Sequence, residues 1–514
     1  MINGSTSRKV PASAAGGSLR HILSTRFVLT TMTLLLAVSG ASLAQTLTPL
    51  VNNPPDGIVM TFQLTDGTVM AQGNNDNDWW KLTPDINGSY VNGTWTQLAS
   101  LPAGYAPYAN ASAVLADGRL VIIGGEYNFG VFTLTNLGAI YDPVANTWTS
   151  LAPPAGWDFI GDSPSLVLPN GRYVVGQKLT KQMAELDPKT LTWTALRSKG
   201  KSDFNAEEGW TLLPDGSILT ADVLHAPNSE IYSPSAQEWV SAGSTIVNLR
   251  SKTTEEGCVP YGNGSTLYCY FPPGEIGPQI LRPDGTVFVT GSFTSISTDG
   301  FTGPGNTSVY DTVTGTWTPG PIFPNDDNAG DAFAVLLTDG NVLVEGDTGI
   351  GYEFDGTDLT QTAILTPQLF VESSLMVLPT GEVLVGSFAS AETYTSTGTY
   401  QSSWAPTISS YPTTVTRGST YQIYGTQFNG LSQAAAFGDE LQTATNYPLV
   451  RITNNSTEHV FYARTHDHST MGVATGTATV STNFDVPVSM ETGPSTLVVV
   501  ANGIPSLPVS VTVQ

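Results

Sequence analysis

Apolar runs of four to six residues recur along this chain in pairs, each pair split by a short polar turn that ends in glycine. The phrase is FQLTDGTVM around Gly67, and it returns around Gly118, Gly171, Gly216, Gly285, Gly340 and Gly381. Asp-Gly or Asn-Gly between two β-prone runs predicts a hairpin, because the turn needs a positive φ that glycine adopts at little cost. Most units add a second phrase. An aromatic residue or leucine is followed by a turn and then a tryptophan, as in Tyr141…Trp148, Leu186…Trp193, Tyr232…Trp239 and Tyr310…Trp317. The first unit keeps only Trp95, and the sixth reads Tyr352-Glu-Phe-Asp-Gly with no tryptophan. Seven units of about 40–55 residues, four strands each, predict an all-β fold with a seven-bladed β-propeller. The fifth unit carries an insertion between Trp239 and Gly285.

The pattern changes at both ends. The first 44 residues hold Arg8, Lys9, Arg20 and Arg26 with no acid, then an apolar stretch at Phe27–Val38 and a small-residue end at Ala41–Ala44. That reads as a secretory signal cleaved after Ala44, and it is short for a transmembrane helix. The repeats occupy 45–404. From 405 to 514, after a linker at Ala405–Ile408, short alternating runs follow at Thr420–Tyr424, Leu449–Ile452, His459–Ala463, Asn483–Val486, Leu497–Val500 and Val509–Val513. Their spacing predicts a separate immunoglobulin-like β-sandwich.

The formal charge is −24, and loss of the leader's four basic side chains makes it −28. Such a chain repels nucleic acid and anionic membranes and suits neutral or cationic ligands. A secreted or periplasmic monomer without a membrane span is expected. Both cysteines, Cys258 and Cys269, lie in the fifth-unit insertion around a Gly-Asn-Gly-Ser turn. A hairpin pinned by one disulfide in an oxidising compartment is the structural reading, contributing about 2–3 kcal/mol. A reactive or thioether-forming cysteine is the alternative.

The repeats resemble the kelch family, whose blades carry a glycine doublet after the second strand; only Gly124-Gly125 keeps it. The whole layout resembles the galactose oxidase/glyoxal oxidase family. The resemblance is sharpest in the last 70 residues, where Leu449-Val-Arg451 leads to Glu458-His459 and Thr496–Val500 leads to Asn502–Ser506. It implies a copper-radical site built on a cysteine, a tyrosine and histidines around the propeller axis, with a histidine delivered by the C-terminal domain. His459 matches that ligand, two residues further from the Leu-Val-Arg strand than the family pattern has it.

Nine residues before each turn glycine, where the innermost strand begins, stand Ile58, Ala109, Asp162, Glu207, Ile276, Asp331 and Glu372. None is cysteine or tyrosine, so copper is not expected. Asp162, Glu207, Asp331 and Glu372, with His459, form the candidate ligand-binding set on the axial face, and Glu208 and Glu275 flank it. Calcium, on Asp331 and Glu372, is the possible cofactor, since converging carboxylates suit a hard cation. The same acids could instead face channel water. The sequence therefore predicts a non-oxidase relative that binds carbohydrate or another cell-surface polymer. The alternative is a glycan hydrolase or lyase using two of the carboxylates. Weaker candidates are the Asn74–Asp78 loop for calcium, Trp79, Trp80 and Trp157 for sugar stacking, His466 and His468 for a metal, and the Asn110 and Asn306 sequons.

Overall fold

The computed structural model describes residues 45–514 except 75–76, 253–256, 262–265, 271–273, 298–299, 367–372 and 439–441; of residues 257–259, 266–270, 296–297 and 300–302 it describes the backbone. The described chain is all-β, with two single-turn 3₁₀ segments and no α-helix.

Each of the seven turn glycines has a φ between +79° and +91°. The turn is three residues long. In the first unit Gly67 N donates to Leu64 O at 3.1 Å, and Leu64 N to Thr68 O at 2.8 Å. Only the glycine takes positive φ, so this is a type I turn closed by a glycine bulge, not a two-residue hairpin turn. The acid or amide before the glycine locks it: Asp66 accepts from Thr68 N at 3.0 Å, and Asp215 from Ser217 N at 2.9 Å. Asn170 and Asp284 do the same for Arg172 and Thr286.

Each hairpin forms the inner half of a four-stranded antiparallel sheet. The first contains Met60–Gln63, Val69–Gln72, Trp79–Thr83 and Thr94–Gln97. Five further sheets follow in chain order. The seventh takes three strands from Ser374–Thr395 and its outermost from the N-terminal Thr46–Pro49, so the two ends of this region meet in one sheet. In the first five sheets an outer-strand tryptophan ties the sheet to the one before: Trp148 Nε1 donates to Ala99 O at 2.9 Å, and Trp193 Nε1 to Ala152 O at 2.7 Å. Trp95 does this to Asn52, just past the N-terminal strand. Within a sheet the aromatic of the second phrase packs on its tryptophan, as for Tyr232 and Trp239 at 5.1 Å. Trp79 and Trp157 are buried in this packing. Asn110 is fully buried too, so its sequon cannot accept a glycan in the folded protein.

The C-terminal region forms a nine-stranded arrangement in which Val460–His466 joins two layers. Its first half pairs with Leu449–Asn454 and its second with Val480–Asp485. Ile423, Val450, Ile452, Phe484, Leu497, Val499 and Val511 fill the space between. Thr407–Ser410 is already a strand, so the segment read as a linker belongs partly to this sheet. This region rests on the glycine turns. Thr465 N donates to Thr65 O at 3.0 Å, Arg464 Nη2 to Asp117 O at 2.9 Å, and Met471 N to Pro169 O at 3.1 Å.

Gly67→Ala tests this seam. A methyl there would lie 2.2 Å from the Tyr462 ring, on top of the strain of positive φ. Gly130→Ala meets nothing within 4 Å at a similar φ of +66°. Urea unfolding should show a loss of about 1 kcal/mol for Gly130→Ala and about 2–3 kcal/mol for Gly67→Ala. Equal losses would mean that the Tyr462 contact contributes nothing.

Candidate functional site

The inner strands begin at the end of each sheet away from the glycine turns, and the second strands finish there. Two loops per sheet therefore contribute to one face: the residues before the first strand and those after the second. Sequence reasoning examined only the former. The latter supply Glu126, Lys178 and Asp222.

Lys178 organises the site. It follows Tyr173–Gly176 of the third sheet, its N–H bonds Ile160 O at 2.9 Å, and its side chain is almost fully buried. Its ammonium contacts Asp162 Oδ2 and lies 2.6 Å from Glu207 Oε1. Two of the expected carboxylates, from the third and fourth units, thus share one cation. Burial opposes the charge on Lys178, but Asp162, Glu207 and Glu126 outweigh it and hold the amine well above its usual range. Burial pushes the Asp162 carboxyl up to about 7 against the pull of Lys178. Its Oδ1 has no hydrogen-bond partner. Glu126 is pushed up to about 8, first by burial and then by the Asp162 charge, with smaller contributions from Glu207 and Glu275.

Aromatic rings stand beside these acids. Tyr127 packs against Tyr108 at 5.9 Å and Phe132 at 5.5 Å. The phenol of Tyr127 is raised by burial and by Glu126, Asp162 and Asp331, which places Asp331 in the same neighbourhood. Asp331 is exposed, and Ile58, Ala109 and Ile276 are buried apolar members of the set. Glu372 lies outside the described residues.

A second buried cluster lies alongside, in the fourth unit. Lys201 Nζ sits 2.8 Å from Glu208 Oε1, 3.2 Å from Glu230 Oε2 and 4.4 Å from the centre of the Trp239 ring. Burial raises Glu208 to about 8 and Asp222 to about 7. Glu208, read as a flanking acid, is a structural partner of this lysine.

His459 is not part of the axial set. Its Nδ1 lies 2.7 Å from Glu491 Oε1, and the adjacent Val460 N bonds Ile86 O at 2.8 Å, in the turn Asp85–Gly88 on the glycine-turn side. The C-terminal segment that reaches the inner strands lies upstream of the Leu-Val-Arg strand. Ala435–Ala436 pairs with Ala334–Val335, the free edge of the sixth sheet. Leu212 N donates to Gln433 Oε1 at 2.8 Å, and Phe437 packs on Phe333 at 4.9 Å. Gly438 then approaches Ile276 O and Gly330 O. Small residues allow this passage: a methyl on Gly438 would lie 2.9 Å from Ile276 O. The motif resemblance pointed to the histidine because it matched the strand; the signal for the true segment was the run Ser432-Gln-Ala-Ala-Ala-Phe-Gly438.

The other histidines are similarly engaged. His466 bonds Asp467 at 2.8 Å and Asp485 at 3.2 Å, and the buried His468 meets Thr482 at 2.9 Å. Among the described residues no group of three or more His, Cys, Asp and Glu is arranged to hold a metal ion. At two of the positions nine residues before a turn glycine, Lys178 bridges the carboxylates of Asp162 and Glu207.

The cluster fixes a pH dependence. Between pH 6.5 and 8 the unfolded carboxyls are ionised, whereas in the folded state Asp162, Asp222 and Glu345, at about 7, and Glu126 and Glu208, at about 8, carry protons that they give up across this range. The folded protein then binds more protons, so stability must fall as pH rises. His468, lowered to about 3 by burial, acts only below about pH 6.5 and in the opposite sense. Calorimetry should show a lower Tm at pH 8 than at pH 6.5. Lys178→Met should cost about 3 kcal/mol at pH 8, because it leaves buried carboxylates unpaired, and less at pH 6.5, where Asp162 can take up a proton.

No protein-family model matches the chain. A stretch of 86 residues, 17% of the chain, is 35% identical to galactose oxidase from Gibberella zeae and spans 11% of that protein's length. A fungal alcohol oxidase of the AA5 family, solved with copper, superposes over 92% of this chain and 100% of its own at 15% identity, with a TM-score of 0.47. A streptogramin B lyase covers 68% of the chain and 97% of its own length at 13% identity, with a TM-score of 0.44. The chain is thus similar to galactose oxidase in sequence over a short stretch.

Proposed function

We propose that this chain is a galactose oxidase-like protein, a seven-bladed propeller with a C-terminal immunoglobulin-like domain, whose axial face binds carbohydrate rather than oxidising it through copper. The seven hairpin-based sheets, the first five tied to their neighbours by tryptophans and the last completed by the N-terminal strand, support the propeller. The two-layered region Thr407–Val513 supports the second domain. The observation that carries the functional reading is the pairing of a Lys178-braced carboxylate cluster with the Tyr108–Tyr127–Phe132 rings. Aromatic faces take the C–H face of a sugar ring, and fixed carboxylates accept its hydroxyl protons. A glycan array followed by calorimetry on the protein from residue 45 should find a ligand, and Glu207→Gln should weaken it roughly tenfold, the loss of one charge-assisted hydrogen bond. No glycan bound, or a full response from Glu207→Gln, would sink this reading.

The enzymatic alternative, a glycan hydrolase or lyase, is favoured by one feature. Glu126 keeps its proton at neutral pH beside carboxylates that face Lys178, the arrangement a general acid needs. Release of new chain ends from the bound glycan, abolished by Glu126→Gln, would select it.

Export, removal of residues 1–44 and a Cys258–Cys269 bond belong to the same proposal. The two residues face each other across the hairpin Gly257–Tyr261/Thr266–Tyr270. Intact mass of the exported protein should start at Gln45 and be two hydrogens lighter than after reduction. Calcium on Asp331 and Glu372 is tested by thermal melting with calcium and with a chelator. A rise in Tm with calcium would assign the ion; no change would remove it.

A further inference from the structure

The C-terminal sheet carries a cation without a counterion on the side that looks away from its core. Along Leu449–Asn454, Val450 and Ile452 point into the core, so Arg451 and Thr453 point to the other side. The neighbouring strand Gly493–Ala501 sets Val498 beside Arg451 and Thr496 beside Thr453. These four residues line a cleft of about 520 Å³, within the size range of small-molecule sites. Pro505, Leu507 and Tyr400 line it too, and Leu507 and Tyr400 keep part of their apolar surface exposed. Among the described residues Arg119, Arg172, Arg282 and Arg464 each pair with an aspartate at 2.7–3.3 Å, whereas Arg451 pairs with no carboxylate. Its guanidinium lies near the Tyr462 hydroxyl, which can engage only a minority of its five N–H donors. Carboxylates are not scarce in this chain, with 43 Asp and Glu against 19 Lys and Arg. The one partly buried arginine left without an acid is the one that lines an apolar cleft.

We infer that this cleft binds a small organic monocarboxylate with an apolar, ring-bearing body, its carboxylate on Arg451 and its body on Val498, Pro505 and Leu507 beside Tyr400. The planar guanidinium matches a carboxylate with two parallel N–H···O bonds, and Thr453 adds a hydroxyl on the same face. The apolar lining takes the body out of water, and the Tyr400 ring offers it an aromatic face. A single negative charge suits the site best, because the protein as a whole, at −24, repels multiply charged anions. The size of the cleft favours a small acid over an acidic peptide.

Calorimetry on the protein from residue 45 tests this with three probes: naphthylacetate, the neutral naphthylethanol and acetate. Naphthylacetate should bind about tenfold more tightly than either of the others, since the alcohol lacks the charge and acetate lacks the apolar body. Arg451→Gln should cut the naphthylacetate affinity about tenfold and leave that of the alcohol unchanged, and Arg451→Lys should fall between. Leu507→Ser, at an exposed position that leaves the fold intact, should weaken both aromatic probes about threefold. Equal affinity for naphthylacetate and the alcohol would overturn the role of the carboxylate. Binding of naphthylacetate that neither Arg451→Gln nor Leu507→Ser alters would overturn this cleft as its site. Failure of naphthylacetate to bind would overturn the small-acid reading, and capture of an oligo-aspartate peptide in its place, lost in Arg451→Gln, would assign the cleft to an acidic peptide instead. None of these outcomes bears on glycan binding at the Lys178 face.

Discussion

Everything at the face that carries Lys178 depends on a three-residue turn at the opposite end of the sheets. In each unit a glycine at positive φ and a bulge end the first strand at a fixed point and start the second one. The aspartate or asparagine before the glycine, where present, bonds the following N–H and removes freedom from the turn. With the turn fixed, strand length alone sets where the other ends lie. That is why residues nine before and about seven after the glycine meet on one face, although Asp162, Lys178 and Glu207 come from different loops. The same turns are also the floor on which the C-terminal strands rest, through Tyr462, Arg464 and Met471.

The seven hairpins, the sheet-linking tryptophans and most C-terminal strands were legible in the sequence because each is a local pattern with a local cause. Gly67 and its equivalents mark turns that few other residues tolerate. Val509–Val513 alternates because one face is buried. The grouping of the acids was half legible. Counting from the glycine, a measure of height along the inner strand, picked out Asp162 and Glu207, which share Lys178. Lys178 and Glu126 were missed because the same count was not run forward along the second strand. His459 was misplaced for a different reason. A motif matched a strand, Leu449–Asn454, and carried with it the loop that follows. In this chain the axial passage is taken by the preceding loop, whose alanines pair with the sixth sheet. Ala434, Ala435 and Ala436 are buried there, and a methyl on Gly438 would lie 2.9 Å from Ile276 O, so the passage takes small residues.

The charge of the chain takes on a second meaning once the two buried lysines are seen. Lys178 and Lys201 each lie among carboxylates that outnumber them. Removing a lone lysine from water is costly, and so is removing a lone carboxylate; each pair offsets part of that cost, and protonation of the surplus acids removes more. The surplus is unevenly distributed. In the fourth unit it is sealed: Lys201, Glu208 and Asp222 are buried, and Asp203 is consumed by the N–H groups of Val223 and Leu224. That cluster reads as structure. In the third unit Asp162 and Lys178 are buried as well, while Glu207 on the same lysine is partly exposed. Two clusters built from the same residue types thus differ in how far they are closed: every carboxylate on Lys201 is buried, whereas Lys178 joins a buried carboxylate to a partly exposed one.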